Sequence, residues 1–284
     1  MRKTSLTIIS ALIFLLTGYA QNASNVKADL LWKSEKVFDI PESVYYDKEN
    51  NVLYVSNING NPIDQDDNGY ISKMSVDGEM LIKKWVTGLH APKGMGKFGN
   101  VLYVTDINRL VEIDVPSGKI LQYIPVKNSK FLNDIAIDDA GNVHFSDMQD
   151  QVVYKYDGTN VTKWMKDDVL ISPNGLYERN GTLFIGVNDR IIKSDLKNGG
   201  YKTIAEGTGN IDGLNMDKAG NFIISDWRGK VQYVILPGEM KTLFDTSSER
   251  INAADIFLDV ENSILYVPTF VDGRVMAYRI VGLK

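Results

Sequence analysis

The chain has no cysteine and only two histidines, His90 and His144, in 284 residues. The first absence excludes disulfides, thiolate metal centres and cysteine nucleophiles. The second leaves little material for a zinc site, which draws on His and Cys. A basic tract is also missing. Lys and Arg total 31 against 36 Asp and Glu, for a net charge of −5, and nucleic-acid binding needs clustered positive charge. No low-complexity run or linker divides the chain. Its 44 % hydrophobic and 24 % charged content is that of a globular protein.

The apolar stretch Leu6 to Leu16 follows Arg2 and Lys3 and precedes the small residues Gly18 and Ala20. That pattern predicts a secretory signal peptide over residues 1–20, too short in its apolar part to span a bilayer comfortably. No cysteine follows it, so no lipid anchor is expected. The mature chain, 21–284, would leave for a bacterial periplasm or the exterior, with no membrane attachment. Losing Arg2 and Lys3 takes the basic count from 31 to 29 against 36 acids, a net charge near −7.

One unit recurs through the rest. IDGLNMDKAGNFIISDW (211–227) reads as an apolar strand, a turn at Lys218 to Asn221, and a second apolar strand. PESVYYDKENNVLYVSN (41–57), NDIAIDDAGNVHFSD (133–147), NGLYERNGTLFIGVN (174–188) and ADIFLDVENSILYVPT (254–269) repeat it, and KGMGKFGNVLYVTD (93–106) is a shorter copy. The residues opening the six units are Glu42, Lys93, Asn133, Asn174, Asp212 and Ala254, at steps of 51, 40, 41, 38 and 42. A strand-and-turn repeat of this length marks propeller blades. Third strands are expected at 70–78, 109–118, 152–158, 190–199, 230–238 and 274–280. Fourth strands are expected at 80–86, 119–126, 161–165, 201–205 and 240–244, and the sixth is missing. The unpaired apolar run at Leu30 to Trp32 can fill that place, closing a six-bladed β-propeller of four strands per blade and removing the last sheet edge.

In a propeller the first strands line the central channel, so the six opening residues converge at one mouth. Four of them offer oxygen ligands and two, Glu42 and Asp212, are carboxylates. That chemistry suits a hard divalent cation such as Ca²⁺. Turn formation also explains Asx-Gly at strand junctions. It accounts for Asn57, Asp106, Asp147, Asn188 and Asp226, which end the second strands in nearly every blade. The opening ring differs in carrying five residue types.

PESVYYD, FLNDIAID, SPNGLYE and IDGLNMD, in this order and spacing, resemble the regucalcin/gluconolactonase family, also called the senescence-marker-protein family. The resemblance covers about residues 35–280. It implies a six-bladed propeller in which Glu42, Asn174 and Asp212 bind one divalent metal and Asn133 helps hold substrate or water there. The chain departs from the family's sugar-lactone pattern in two places. Phe131, beside Lys130, stands where many such members carry Arg, and blade 3 has Gln149 and Gln151 with no evident substrate-binding Glu.

The leading expectation is therefore an exported, metal-dependent hydrolase of lactones or related esters. Asp212 serves as ligand and candidate base, and Lys93 orients substrate or stabilises an oxyanion. The alternatives are a non-catalytic propeller that binds a ligand or protein, and an enzyme of the strictosidine-synthase or paraoxonase type. His144 lies inside a strand and reads as a packed sheet residue; His90 has no assigned role. The longer first step sits at residues 57–70. Asp64, Asp66, Asn68 and Gly69 there have the opening spacing of a calcium loop, but Ser75 replaces the bidentate Glu and the flanks are strands, which favours a solvated polar turn.

Overall fold

The structure is a computed structural model and describes residues 25–283; the expected signal peptide lies outside them. Six antiparallel sheets of four strands form the chain. Five are built from consecutive strands. The sixth has the order Phe257–Asp259, Ile264–Pro268, Val275–Val281 and then Lys27–Lys33, so the N-terminal strand supplies the expected fourth strand. This is a six-bladed β-propeller. Among the described residues no helix is long and apolar enough to cross a membrane.

The hairpin turns follow from their acids. Asp47, Asp138, Asp217 and Asp259 each end a first strand and accept backbone N–H groups of the turn that follows, such as Glu49 and Asn50 on Asp47 and Ala140 and Asn142 on Asp138. An Asx side chain bonded two to four residues ahead holds the chain in the turn before the second strand begins. Five of the six third strands end two to four residues sooner than expected, for instance Arg109–Asp114 against 109–118, and the sixth, Val275–Val281, ends one residue later. The reason is local: Gly78, Gly118, Gly158, Gly199 and Gly238 all have positive φ and belong to the next turn.

The apolar interior is divided among the seams between neighbouring blades. Tyr54 and Ile71 of blade 1 meet Leu102 and Val111 of blade 2, and Ile223 and Val231 of blade 5 meet Leu265 and Val267 of blade 6. Alternating strand residues point to one seam or the other, so each blade depends on both neighbours. Closure extends this dependence around the ring. Lys27–Lys33 pairs with Val275–Val281, Trp32 stacks obliquely on Tyr266 at 6.1 Å, and its indole N–H donates to Val76 O of blade 1 at 3.0 Å. The closing strand lies outermost, so its free edge faces solvent as the fourth strand of every blade does. Closure thus completes blade 6 and ties it to blade 1, and does not abolish the edge; charges at Lys27, Asp29 and Lys33 protect it.

Candidate functional site

In blades 1 to 3 the pairing of first and second strands shifts register between Pro41 and Val44, Pro92 and Met95, and Leu132 and Ile135. Glu42, Lys93 and Asn133 sit inside those irregularities, where a bulge re-aims a side chain. In blades 4 to 6 the opening residue precedes the paired strand. Its backbone N–H is held instead by a second-strand carbonyl: Asn174 on Gly186, Asp212 on Ser225, Ala254 on Pro268. All five polar opening residues line a single cavity of about 410 Å³ at one channel mouth.

Close approach of the blades places them there. Gly94, Gly175 and Gly213 follow Lys93, Asn174 and Asp212, and a Cβ on any of them would stand 2.5–2.6 Å from backbone of the next blade. Hydroxyls complete the fit. Ser225 Oγ accepts Gly213 N–H and donates to Ala254 O of blade 6, Thr105 Oγ1 donates to Asn133 O of blade 3, and Ser146 Oγ accepts Asp134 N–H.

Asn174 Nδ2 donates to Asp212 Oδ1 at 2.6 Å. Lys93 is buried; its ammonium donates to Pro62 O at 3.1 Å and Ala91 O at 2.9 Å and lies 4.5 Å from the centre of the Phe131 ring. Asn133 Nδ2 faces Met148 Sδ at 2.9 Å. Three buried oxygens of this ring have no hydrogen-bond partner: Glu42 Oε2, Asn133 Oδ1 and Asn174 Oδ1. Each such acceptor costs about 1–3 kcal/mol when left unpaired, and all three belong to residues that line the one cavity.

Burial and mutual repulsion act on the acids. Glu42 is pushed well above the usual carboxylate range by desolvation and then by Asp212 and Asp255, with Lys93 opposing. Burial raises Asp212 to about 7 against the bond from Asn174, and lowers Lys93 to about 8 against the pull of Glu42 and Asp106. One residue further along the first strands lie Asp134 and Asp255, which the opening-position reading missed. Burial raises Asp134 to about 8 and Asp255 well above its ordinary value. Their bonds are structural. Asp134 accepts N–H from Ile135 at 2.6 Å and from Leu176 of blade 4 at 2.5 Å, and Asp255 accepts Ser43 Oγ of blade 1 at 2.6 Å. The repeat did carry a signal: the second letters of the six units run Ser43, Gly94, Asp134, Gly175, Gly213, Asp255.

Of the strand-end residues, Asn57, Asp106, Asp147 and Asp226 accept backbone N–H groups of nearby loops, as turn formers do. Asn188 differs, being exposed and lining the cavity. The long blade 1 loop supplies Pro62 to the cavity wall. Within it Asp66 accepts Asn68 Nδ2 at 2.5 Å and Asn68 N–H at 3.3 Å, the bonding of a polar turn. His90 Nδ1 is 3.0 Å from Asp67 Oδ1 and His144 is packed inside its sheet; neither lines the cavity, nor do Gln149 and Gln151. Among the described residues no three or more His, Cys, Asp or Glu gather in a metal-holding group. The opening ring itself offers two carboxylates and two amide side chains.

Fold and site together define a six-bladed propeller whose channel mouth holds a cavity floored by carboxylate and amide oxygens. The family model described as SMP-30/Gluconolactonase/LRE-like region matches residues 40–270, and the chain belongs to that family. Similar solved structures include a gluconolactonase from Xanthomonas campestris (14 % identity, 86 % of each chain, TM-score 0.64). A protein solved as a putative gluconolactonase is similar over 92 % of this chain and 94 % of its own (17 % identity, TM-score 0.65). A catalytically inactive virginiamycin B lyase from Staphylococcus aureus, solved with quinupristin, is similar over 90 % of this chain and 99 % of its own (13 % identity, TM-score 0.62). These likenesses are of fold. The comparison with curated proteins finds no match.

Proposed function

We propose that this gluconolactonase-like propeller is a divalent-metal-dependent hydrolase of lactones or related esters, exported to the periplasm or exterior. The observation that carries the reading is the trio of unpartnered buried oxygens on Glu42, Asn133 and Asn174 beside the Asp212 carboxylate. Hard oxygens carrying two negative charges fit Ca²⁺ or a similar ion, and Glu42, Asn133, Asn174 and Asp212 would hold it. Such an ion, when bound, supplies Lewis-acid polarisation of a carbonyl.

The chain's own groups do the rest. Asn174 fixes Asp212 through Oδ1, leaving Oδ2 to take a proton from an attacking water. Lys93 keeps a positive charge beside Glu42 and offsets part of the acid repulsion, anchored by two carbonyls so that it stays on the ring. A histidine-based reaction has no support, because neither histidine reaches the cavity.

The test is calorimetric Ca²⁺ titration together with hydrolysis of a simple lactone, with and without chelator, on wild type and Asp212→Asn. One ion per chain is expected, with affinity falling at least about tenfold in the variant. Asp64→Ala combined with Asp66→Ala should leave the stoichiometry unchanged. Absence of divalent-ion binding in wild type would refute the metal site and leave the binding-module reading. Export is checked by fractionating cells with residues 1–20 present and removed.

A further inference from the structure

The floor of the cavity has few hydrogen bonds left to give. Asn174 Nδ2 is committed to Asp212, Asn133 Nδ2 faces Met148 Sδ, and two of the three Lys93 ammonium protons go to Pro62 O and Ala91 O. What the floor has left is chiefly acceptor oxygen, with one N–H remaining on Lys93 and one on each of the two amides. The remaining polar lining, Ser172, Asn188 and Asn210, is exposed at the rim.

The walls are apolar: Phe131, Trp227 and Phe270 are aromatic, with Ile58, Met148 and Ile211 between them. Trp227 and Phe270 meet edge to face at 5.4 Å, although Trp227 is 45 % exposed. Phe270 sits at φ 48, a left-handed backbone that a bulky residue rarely adopts and that holds its ring against the mouth. Large apolar side chains also continue outward. Ile63 beside Pro62, Ile171 beside Ser172, and Val271 beside Phe270 are exposed by 56 %, 46 % and 70 %. Each of these three adjoins a cavity-lining residue in sequence, so exposed apolar side chains occur on the mouth-forming segments of blades 1, 4 and 6 as well as at Trp227 of blade 5.

A molecule with a hydroxyl on nearly every carbon could give hydrogen bonds only to the few floor oxygens and rim groups, and each hydroxyl left against the apolar walls would cost about 1–3 kcal/mol. A molecule offering one carbonyl to the floor and hydrocarbon to the walls would gain burial. We propose that the cavity accepts lactones or esters bearing an apolar substituent, in preference to polyhydroxylated sugar lactones. This rests on the hydrolase reading of the same site and names its substrate class.

Two lactams of equal ring size, which resist hydrolysis, separate binding from chemistry: one with a medium-length alkyl chain, one hydroxylated at every ring carbon. With Ca²⁺ present, calorimetry on the mature chain should show the alkyl lactam binding at least about tenfold more tightly, the effect of roughly two buried CH₂ groups. Trp227→Ala, which removes a half-exposed ring and leaves the seams untouched, should weaken the alkyl lactam about fivefold or more and spare the hydroxylated one. Equal or reversed preference, no binding of either lactam, or equal loss for both in the variant would overturn the proposal. The matching lactones are then assayed for turnover. Selective binding of the alkyl lactam without turnover of either lactone would keep the apolar preference and reject the hydrolase reading. Turnover that favours the hydroxylated lactone would reject the preference and keep the hydrolase.

Discussion

Two layers of the same channel carry the same chemistry to different ends. Glu42 and Asp212 stand at the mouth, and Asp134 and Asp255 lie one residue deeper on their strands. All four are buried carboxylates, and burial raises all four. The layers part in how their oxygens are used. Asp134 and Asp255 are spent on N–H and O–H groups of neighbouring blades, whereas the mouth layer keeps Glu42 Oε2 and two amide oxygens without partners. Neither burial nor a raised pKa separates a site from a brace here. Unmet hydrogen-bonding capacity, on residues lining one cavity, is what sets the mouth layer apart.

The largest effect expected from that difference is at the mouth. Glu42→Gln and Asp212→Asn each remove a charge while keeping an oxygen. Divalent-ion affinity should fall at least about tenfold. Lactone hydrolysis should fall further in Asp212→Asn, by about a hundredfold or more, because the proton acceptor is lost as well. Asp212→Asn should not lower the melting temperature of the metal-free chain, since it removes a buried charge and keeps an oxygen for Asn174, whereas Glu42→Gln also takes a counter-charge from buried Lys93 and should lower it somewhat. A large drop in metal-free stability would mean that these two carboxylates are braces after all.

The deeper layer should show the reverse. Asp134→Ala strands the Ile135 and Leu176 N–H groups, each at about 1–3 kcal/mol, and lowers the melting temperature. Ion affinity should change less, and only through the displacement of Asn133 and Asn174 beside those amides. Asp134→Asn retains one acceptor oxygen and should recover part of the loss. If Asp134→Ala melts like wild type but no longer binds the ion, Asp134 belongs to the site and the two layers are one.

The repeat made the fold readable, because six copies of one hairpin at near-constant spacing leave few architectures. It made Glu42, Lys93, Asn133, Asn174 and Asp212 readable as neighbours for the same reason, although they are far apart in the chain. Asp134 and Asp255 stayed hidden because the units were aligned on their first polar residue. In three of the six the next position is a glycine, admitted by close blade contact, so it reads as part of the turn. The cavity walls were mostly hidden. Pro62 and Phe270 come from loops outside the repeated hairpin and Trp227 is the last residue of its unit, and only the folded chain brings an inserted loop, a strand end and a short 3₁₀ turn (Phe270–Asp272) to one mouth.

The smallest expected effect concerns an unpartnered group that is alone. His144 lies in the second strand of blade 3, buried, edge-on to Trp164 at 5.3 Å, with neither ring nitrogen hydrogen-bonded. Asp138 Oδ2 is 3.6 Å from Nε2, too far for a bond. Burial lowers the imidazole to about 4 despite that neighbour. The folded chain therefore keeps His144 neutral where the unfolded chain, titrating near 6.5, takes up a proton. Its contribution to stability is whole above about pH 6.5 and is lost as the pH falls toward 4. His144→Phe keeps a ring against Trp164 and removes the titration. Its melting temperature should match wild type at pH 7 and exceed it increasingly below 6.5, by on the order of 1–2 kcal/mol in stability near pH 5. Its ion affinity at pH 7 should be unchanged, because one orphaned group within a sheet has no cavity to share. A variant that tracks wild type through the acid range would show that the imidazole takes up its proton in the fold as readily as in the unfolded chain. One that loses the ion at pH 7 would show that the channel mouth depends on a residue it does not touch, and that clustering of unmet acceptors is too narrow a criterion for the site.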